Sequence, residues 1–125
     1  MTRALPAYLP AFVWAALLLL VGSVPDLHGP AIDFPLDKVA HFFMYGVLGA
    51  LAALGWRRAG RRPAWPWVLL GALLIGAADE LHQRGVSGRS ADVLDWVADL
   101  AGIVSMFVPG LRVAAMRGDE GGEVR

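Results

Sequence analysis

The feature that most constrains this chain is an uninterrupted run of uncharged, mostly apolar residues from Ala4 to Pro25. A helix needs about 20 such residues to cross a membrane, so the run predicts a first transmembrane helix. Three more apolar segments follow, separated by turn residues and by a loop rich in arginine. The four predicted helices cover approximately residues 7–24, 37–56, 64–83 and 91–108. A soluble bundle is the alternative, but the first segment and most of the third lack the continuous polar face that it requires.

The composition agrees with one small membrane domain. The chain has 125 residues, of which 57% are hydrophobic and 18% charged, a higher apolar share than soluble domains usually have. Short connections between the segments predict an all-α membrane protein, an antiparallel bundle of four transmembrane helices. We assign this domain to residues 1–117 and expect residues 118–125 to form a disordered cytoplasmic tail. The absence of cysteine excludes disulfides and thiolate metal sites, and the absence of a basic patch argues against nucleic acid as a partner.

The lysine and arginine residues predict the orientation of the bundle. With both termini in the cytoplasm, Lys38, Arg84 and Arg89 face outward, and the other eight of the eleven cationic residues face inward. Positive residues accumulate on the cytoplasmic side of membrane proteins, so this N-in, C-in arrangement is favoured. It places all three histidines and most of the acidic residues in or near the outer half of the membrane.

One face of the second predicted helix carries a polar stripe. Asp37, His41 and Tyr45 are spaced four residues apart, which stacks them along a helix, and Lys38 lies beside them at the membrane boundary. A carboxylate one turn before a histidine can orient the imidazole as a base or as a metal ligand. The alternative is structural: a helix-starting aspartate favoured by the helix dipole, with the other three side chains at the interface.

Acidic side chains also occur at the ends of the third and fourth predicted helices. Glu80 and Gln83 share a face near the end of the third helix, where the helix dipole disfavours an acid that lacks a compensating cation or proton. Asp92, Asp95 and Asp99 form a stripe on the fourth helix. The first two suit a helix start, but Asp99 lies roughly 12 Å along the axis from that start. Asp99 must therefore face the bundle and have a partner or a proton.

Arg89 precedes the fourth predicted helix, between Gly88 and Ser90. A guanidinium beside a helix N-terminus can grip a phosphate or a carboxylate. It can equally pair with Glu80 or Asp92, and the sequence leaves both interpretations open.

Together these blocks resemble the VanZ-like family of small bacterial integral membrane proteins. The resemblance rests on DKxxHxxxY at residues 37–45, ExxQ at residues 80–83 and GRSxDxxDxxxDxxG at residues 88–102. It implies a protein of the cytoplasmic membrane with a role at the cell envelope, and it implies that many relatives carry Asn at the position of Asp99. The family's namesake is associated with resistance to the glycopeptide teicoplanin, and the resemblance implies no particular reaction.

The favoured function is that of an envelope protein that binds a polar or anionic head group at an outward-facing polar site within the membrane. The head group would belong to a lipid-linked cell-wall precursor or a phospholipid, and a role in teicoplanin-type resistance is expected. The residues assigned to binding are Lys38, Tyr45, Gln83, Arg89, Asp92, Asp95 and Asp99.

Two alternatives stand beside it. An intramembrane enzyme acting on an envelope lipid or precursor would use His41 as an acid–base group or metal ligand, oriented by Asp37, with Glu80 or Asp99 as acid or ligand. A proton-coupled carrier is the second alternative. The sequence identifies no cofactor and no metal, the bilayer is the expected partner, and a homo-oligomer is compatible with the pattern.

Overall fold

The computed structural model describes residues 4–24, 36–86 and 93–119, with side chains as far as Val113. The residues described form helices and turns and contain no strand, which confirms the prediction of an all-α protein. The five helices are α1 (Ala4–Ala7), α2 (Leu9–Gly22), α3 (Leu36–Arg58), α4 (Trp65–Gln83) and α5 (Val93–Asp119).

Two of these helices are long and apolar enough to cross a membrane. They are α3 and the Val93–Val113 part of α5, each with a mean hydropathy of 1.5, whereas α2 is apolar but shorter. Large apolar side chains are exposed along the helices, among them Phe12 and Leu20 on α2 and Phe43 on α3. Surfaces of this kind are typical of contact with lipid, so the helices indicate a membrane protein.

The first apolar segment forms two helices rather than the single one predicted over residues 7–24. The break falls at Tyr8, between α1 and α2. Pro10 stands in the first turn of α2 and has no N–H to continue the hydrogen-bond ladder from α1. The chain therefore restarts its helix there, and α2 ends at Gly22, two residues earlier than predicted.

The last helix continues well beyond the predicted end at residue 108. Pro109 lies inside α5, which ends at Asp119, inside the segment predicted to be a disordered tail. A proline in a helix interior costs about 3 kcal/mol, and the packing around it offsets that cost. Phe107 is fully buried against Ala52 and Ala53 of α3, with Leu111 packed on the same cluster. The remaining predicted tail, residues 120–125, lies outside the residues described.

The closest helix pair is α3 with α5, and glycine makes this proximity possible. A methyl group on Gly102 would overlap the carbonyl oxygen of Phe42, and one on Gly49 would overlap the carbonyl oxygen of Ile103. The two helices run side by side in the same direction, because their early residues meet each other and Gly110 lies later against Ala53. This register brings the polar first turns of both helices together.

Helices α2 and α4 complete the apolar core around this pair. Tyr45, Leu48 and Ile103 are almost fully buried and pack with Ala72 of α4 and with the alanine-rich face of α2. Trp14 of α2 donates a hydrogen bond from Nε1 to the Met44 carbonyl oxygen at 2.9 Å. The core thus lies beside the middle of α3, and the polar residues described below gather at one end of it.

We expect Gly102→Ala to destabilise the protein by about 1–3 kcal/mol, because the added methyl group forces α3 and α5 apart. Thermal unfolding of the purified protein in detergent would measure the effect. Gly71→Ala is the matched control: a methyl group there has no neighbour within 4 Å, so the variant should be as stable as the wild type or slightly more stable. Equal losses in both variants would contradict the close contact.

Candidate functional site

The buried polar side chains of the described residues collect at one end of α3, α4 and α5. They lie within the first three turns of α3, the last two turns of α4 and the first two turns of α5. The members are His41, Asp79, Glu80, Gln83, Asp95 and Asp99. Six such groups would be costly among apolar side chains alone, so the contacts among them decide what this end of the protein can do.

Lys38 joins the first turns of α3 and α5. Its ammonium contacts Asp95 Oδ1 and lies 3.4 Å from Asp37 Oδ2. The lysine side chain is only 18% exposed and the two carboxylates are 19% and 10% exposed, for Asp37 and Asp95 respectively. Partial burial weakens solvent screening, which makes this ion pair stronger than one on an open surface. The contact ties two helices together at the edge of the site.

His41 has its close partner on α5 rather than on its own helix. Its Nδ1 lies 2.8 Å from Asp99 Oδ1, whereas its Nε2 lies 3.8 Å from Asp37 Oδ1, too far for a hydrogen bond. A carboxylate accepts hydrogen bonds, so this geometry assigns the hydrogen to Nδ1. Asp99 therefore holds the imidazole ring, and the role predicted for Asp37 as its orienting carboxylate is taken up by a residue from another helix.

Tyr45 links this pair to α4. The phenol donates a hydrogen bond to Asp79 Oδ2, and Gln83 Nε2 donates to the same oxygen at 3.2 Å. The rings of Tyr45 and His41 are nearly parallel, 6.4 Å apart. The other oxygen of Asp79 faces α2, where a methyl group on Gly22 would lie 2.7 Å from it. Helices α2, α3, α4 and α5 therefore all contact the polar residues at this end of the protein.

Glu80 occupies a neighbouring face of α4. It lines a cavity of about 230 Å³ between α4 and α5, together with Arg84, Trp96 and the apolar side chains Ala77, Leu81 and Val93. The cavity places a carboxyl and a guanidinium group at the edge of an otherwise apolar wall. Glu80 is thus close in sequence to Asp79 but faces a different part of the site.

Most of the residues predicted for the site meet here. The interhelical contacts join Lys38 to Asp95, His41 to Asp99 and Tyr45 to Asp79. Asp37 and Gln83 make their contacts within α3 and α4 respectively, and Glu80 lines the adjacent cavity. Arg89 and Asp92 lie outside the residues described. The contacts form two groups. Lys38 and His41 join α3 to α5, and Tyr45 joins α3 to α4.

Sequence reasoning missed Asp79 as a member of the site. The pattern that indicates Asp79 is the helical spacing of four residues on one face of α4. All four are buried: Ala72, Gly76, Asp79 and Gln83. Gly76 lies against Tyr45, because a methyl group there would be 3.6 Å from the ring. The apolar and small members of that stripe identify the face that packs on α3, and Asp79 belongs to it.

The arrangement favours positively charged or hydrogen-bond-donating ligands. Carboxylates outnumber cationic groups in the described part of the site, with Lys38 as its most deeply placed cation. Asp79 Oδ1 and Asp99 Oδ2 are buried and accept no hydrogen bond from the residues described. Buried oxygens of this kind are costly unless a donor or a proton reaches them. The site can therefore bind a cation, accept hydrogen bonds or hold a proton.

Asp99→Asn should keep the protein folded, because the amide oxygen of asparagine can still accept the hydrogen bond from His41 Nδ1. Asp99→Leu removes that acceptor and leaves a buried N–H unpaired, at a cost of about 1–3 kcal/mol. Membrane abundance and thermal unfolding in detergent measure both variants. If asparagine proved as damaging as leucine, hydrogen bonding to His41 would not be the role of Asp99.

Comparison with known proteins identifies a family for this chain. The family model described as VanZ/LLP1 matches residues 4–110, a stretch that contains α1 to α4, most of α5 and every site residue named above. No curated protein and no solved structure matches the chain.

Proposed function

The chain belongs to the VanZ/LLP1 family, and on that premise we propose that it is a cell-envelope membrane protein that binds a polar head group within the membrane. The observation that carries the proposal is the cluster of buried polar side chains shared by α3, α4 and α5. Ionisable side chains buried within membrane segments are costly and by default mark a functional site. Helix packing alone requires no such groups, so their concentration at one end favours a binding site.

In the proposed arrangement α2, α3, α4 and α5 cross the cytoplasmic membrane of a bacterium as an antiparallel bundle with both termini inside. Contacts at opposite ends support it. The end of α2 at Gly22 meets Asp79 near the end of α4, and Tyr8 before α2 lies against Gly55 near the end of α3. The arginine-rich loop is at the end away from the polar cluster, so a cytoplasmic position for that loop directs the cluster outward.

Reporter fusions test this orientation. A reporter placed after Arg62 or after Arg117 should be cytoplasmic, and one inserted within residues 26–33 should be outside, because cationic loops are retained in the cytoplasm. A phosphatase that is active only outside and a fluorescent protein that folds only inside give opposite readouts at each position. The reverse pattern would place the site on the cytoplasmic side and remove the outward-facing site.

The charge of the site selects among head groups. Ammonium, hydroxyl and amide groups can donate hydrogen bonds to the carboxyl group of Glu80 at the cavity wall. The buried carboxyl groups of Asp79 and Asp99 add acidic character behind it. An anionic group such as phosphate meets repulsion from these carboxylates unless it lies beside Lys38 or another cation. The proposed ligand is therefore a lipid or lipid-linked cell-wall precursor with donor groups, and its phosphate would lie beside Lys38 or Arg84.

The cavity between α4 and α5 supports lateral entry from the bilayer. At about 230 Å³ it is smaller than the roughly 300–1,000 Å³ of ordinary ligand pockets. It has room for part of a head group, while the acyl chains would remain in the membrane against Leu81 and Val93. Glu80, Arg84 and Trp96 at its wall supply an acceptor, a cation and an aromatic edge for that group.

A lipid inventory of gently solubilised protein tests head-group binding. We expect one class of envelope lipid to be enriched in the wild-type protein relative to the bulk membrane, and Glu80→Gln to lower that enrichment several-fold. His82→Gln is the control, since His82 is exposed and bonded to Ser23, 2.8 Å away, outside the polar cluster. A lipid profile equal to that of the bulk membrane in wild-type protein would refute the proposal.

One observation favours the alternative of an intramembrane enzyme. The hydrogen bond from His41 to Asp99 leaves Nε2 as the ring nitrogen with a lone pair, as a general base or a metal ligand requires. The same inventory distinguishes the two functions. A chemically altered lipid that accumulates with wild-type protein and is absent with His41→Gln would favour an enzyme, whereas unaltered bound lipid supports the binding role.

A further inference from the structure

Three side chains near the first turns of α3 and α5 have the spacing of a metal site. Asp37, His41 and Asp95 each offer one ligand atom, and the three atoms lie within 4.8 Å of one another. They come from two helices whose separation is fixed by the glycine contacts, so the carboxylates and the imidazole are held together by the fold. Two oxygen ligands and one nitrogen ligand suit a borderline divalent transition metal such as Zn²⁺.

The orientation of His41 is a second and independent observation. The residue is only 4% exposed, and its Nδ1 is committed to Asp99 Oδ1 at 2.8 Å. That bond turns the Nε2 lone pair towards the side where Asp37 lies, 3.8 Å away. Metal-binding histidines commonly have this arrangement, in which a carboxylate holds one ring nitrogen and the metal takes the other.

Lys38 provides a third observation, because its ammonium already lies between the two carboxylates of the group. It contacts Asp95 and is 3.4 Å from Asp37. A positive charge is thus accommodated at this point of the structure. The side chain is 18% exposed, and its flexible four-carbon stem allows the ammonium to move outward. A metal ion would therefore compete with Lys38 for the same oxygens.

We propose that Asp37, His41 and Asp95 bind a divalent transition metal of the Zn²⁺ class, with Asp99 positioning the imidazole and Lys38 competing for the site. Metal–ligand bonds of about 2.0–2.2 Å require the three ligand atoms to close in by about an ångström, which rotation of the carboxylates supplies. Asp37 is partly exposed, so an ion has a path from the water boundary. Neither the ligands nor the path depends on lipid binding.

Three protein ligands leave a coordination position open. A phosphate oxygen of a head group is a suitable fourth ligand, and the metal would compensate the excess of carboxylates that otherwise repels an anion. This second role rests on the proposed function, whereas metal binding does not. The two can therefore fail separately: metal binding is measured on lipid-free protein, and the lipid inventory is compared with and without added Zn²⁺.

The experiment is Zn²⁺ titration of the full-length chain in detergent, after chelator treatment and delipidation. We expect one Zn²⁺ per chain, with affinity lowered at least about tenfold in Asp37→Asn, His41→Gln and Asp95→Asn. His82→Gln is the matched control and should bind as the wild type does. Mg²⁺ should bind more weakly than Zn²⁺, since Mg²⁺ prefers an all-oxygen site.

Lys38→Met keeps the experiment decisive where another variant fails to fold. It removes the competing ammonium, so the affinity for Zn²⁺ should rise, an effect that general damage to the fold cannot produce. Asp99→Asn, which retains the acceptor for His41, should keep most of the affinity, whereas Asp99→Leu should lose it. Unchanged Zn²⁺ binding in Asp37→Asn and Asp95→Asn, or weaker binding in Lys38→Met, would overturn the proposal.

Discussion

The close contact of α3 with α5 is the constraint from which the rest of the site follows. Gly49 and Gly102 have no side chains, so the backbones of the two helices touch and neither helix can slide along the other without a collision. That register sets Lys38 opposite Asp95 and His41 opposite Asp99. A shift of one residue would rotate these side chains away from each other by about 100°, as the helical repeat requires.

The polar contacts in turn offset the cost of burying charged and polar side chains between the two helices. His41, Asp95 and Asp99 would each be costly if buried alone, but each is compensated across the interface by a charge or a hydrogen bond. Asp79 accepts hydrogen bonds from Tyr45 across the interface with α3 and from Gln83 of its own helix. The site is thus also part of what holds the helices together, and only substitutions that preserve shape and hydrogen bonding can separate its function from its folding.

The division of roles between the aspartates has a chemical consequence. Asp99 is fully buried and holds the imidazole, whereas Asp37 and Asp95 lie towards the boundary with a cation between them. The carboxylate that orients the histidine is thus buried, and the two outer carboxylates share the Lys38 ammonium. Carboxylates concentrated in this way attract cations and repel anions.

The sequence by itself determined the helical class of this protein, the apolar character of its segments and most of the polar residues of the site. These properties depend on local periodicity and composition, which can be read from a short window of sequence. The passage of α5 through Pro109 and the inclusion of Asp79 were decided only in the tertiary structure. The partner of His41 was also decided there, because residues 58 positions apart meet only when two helix faces pack. Local pattern places each side chain on a face of its helix, but the distance and register between helices arise from close packing and the need to compensate buried charge.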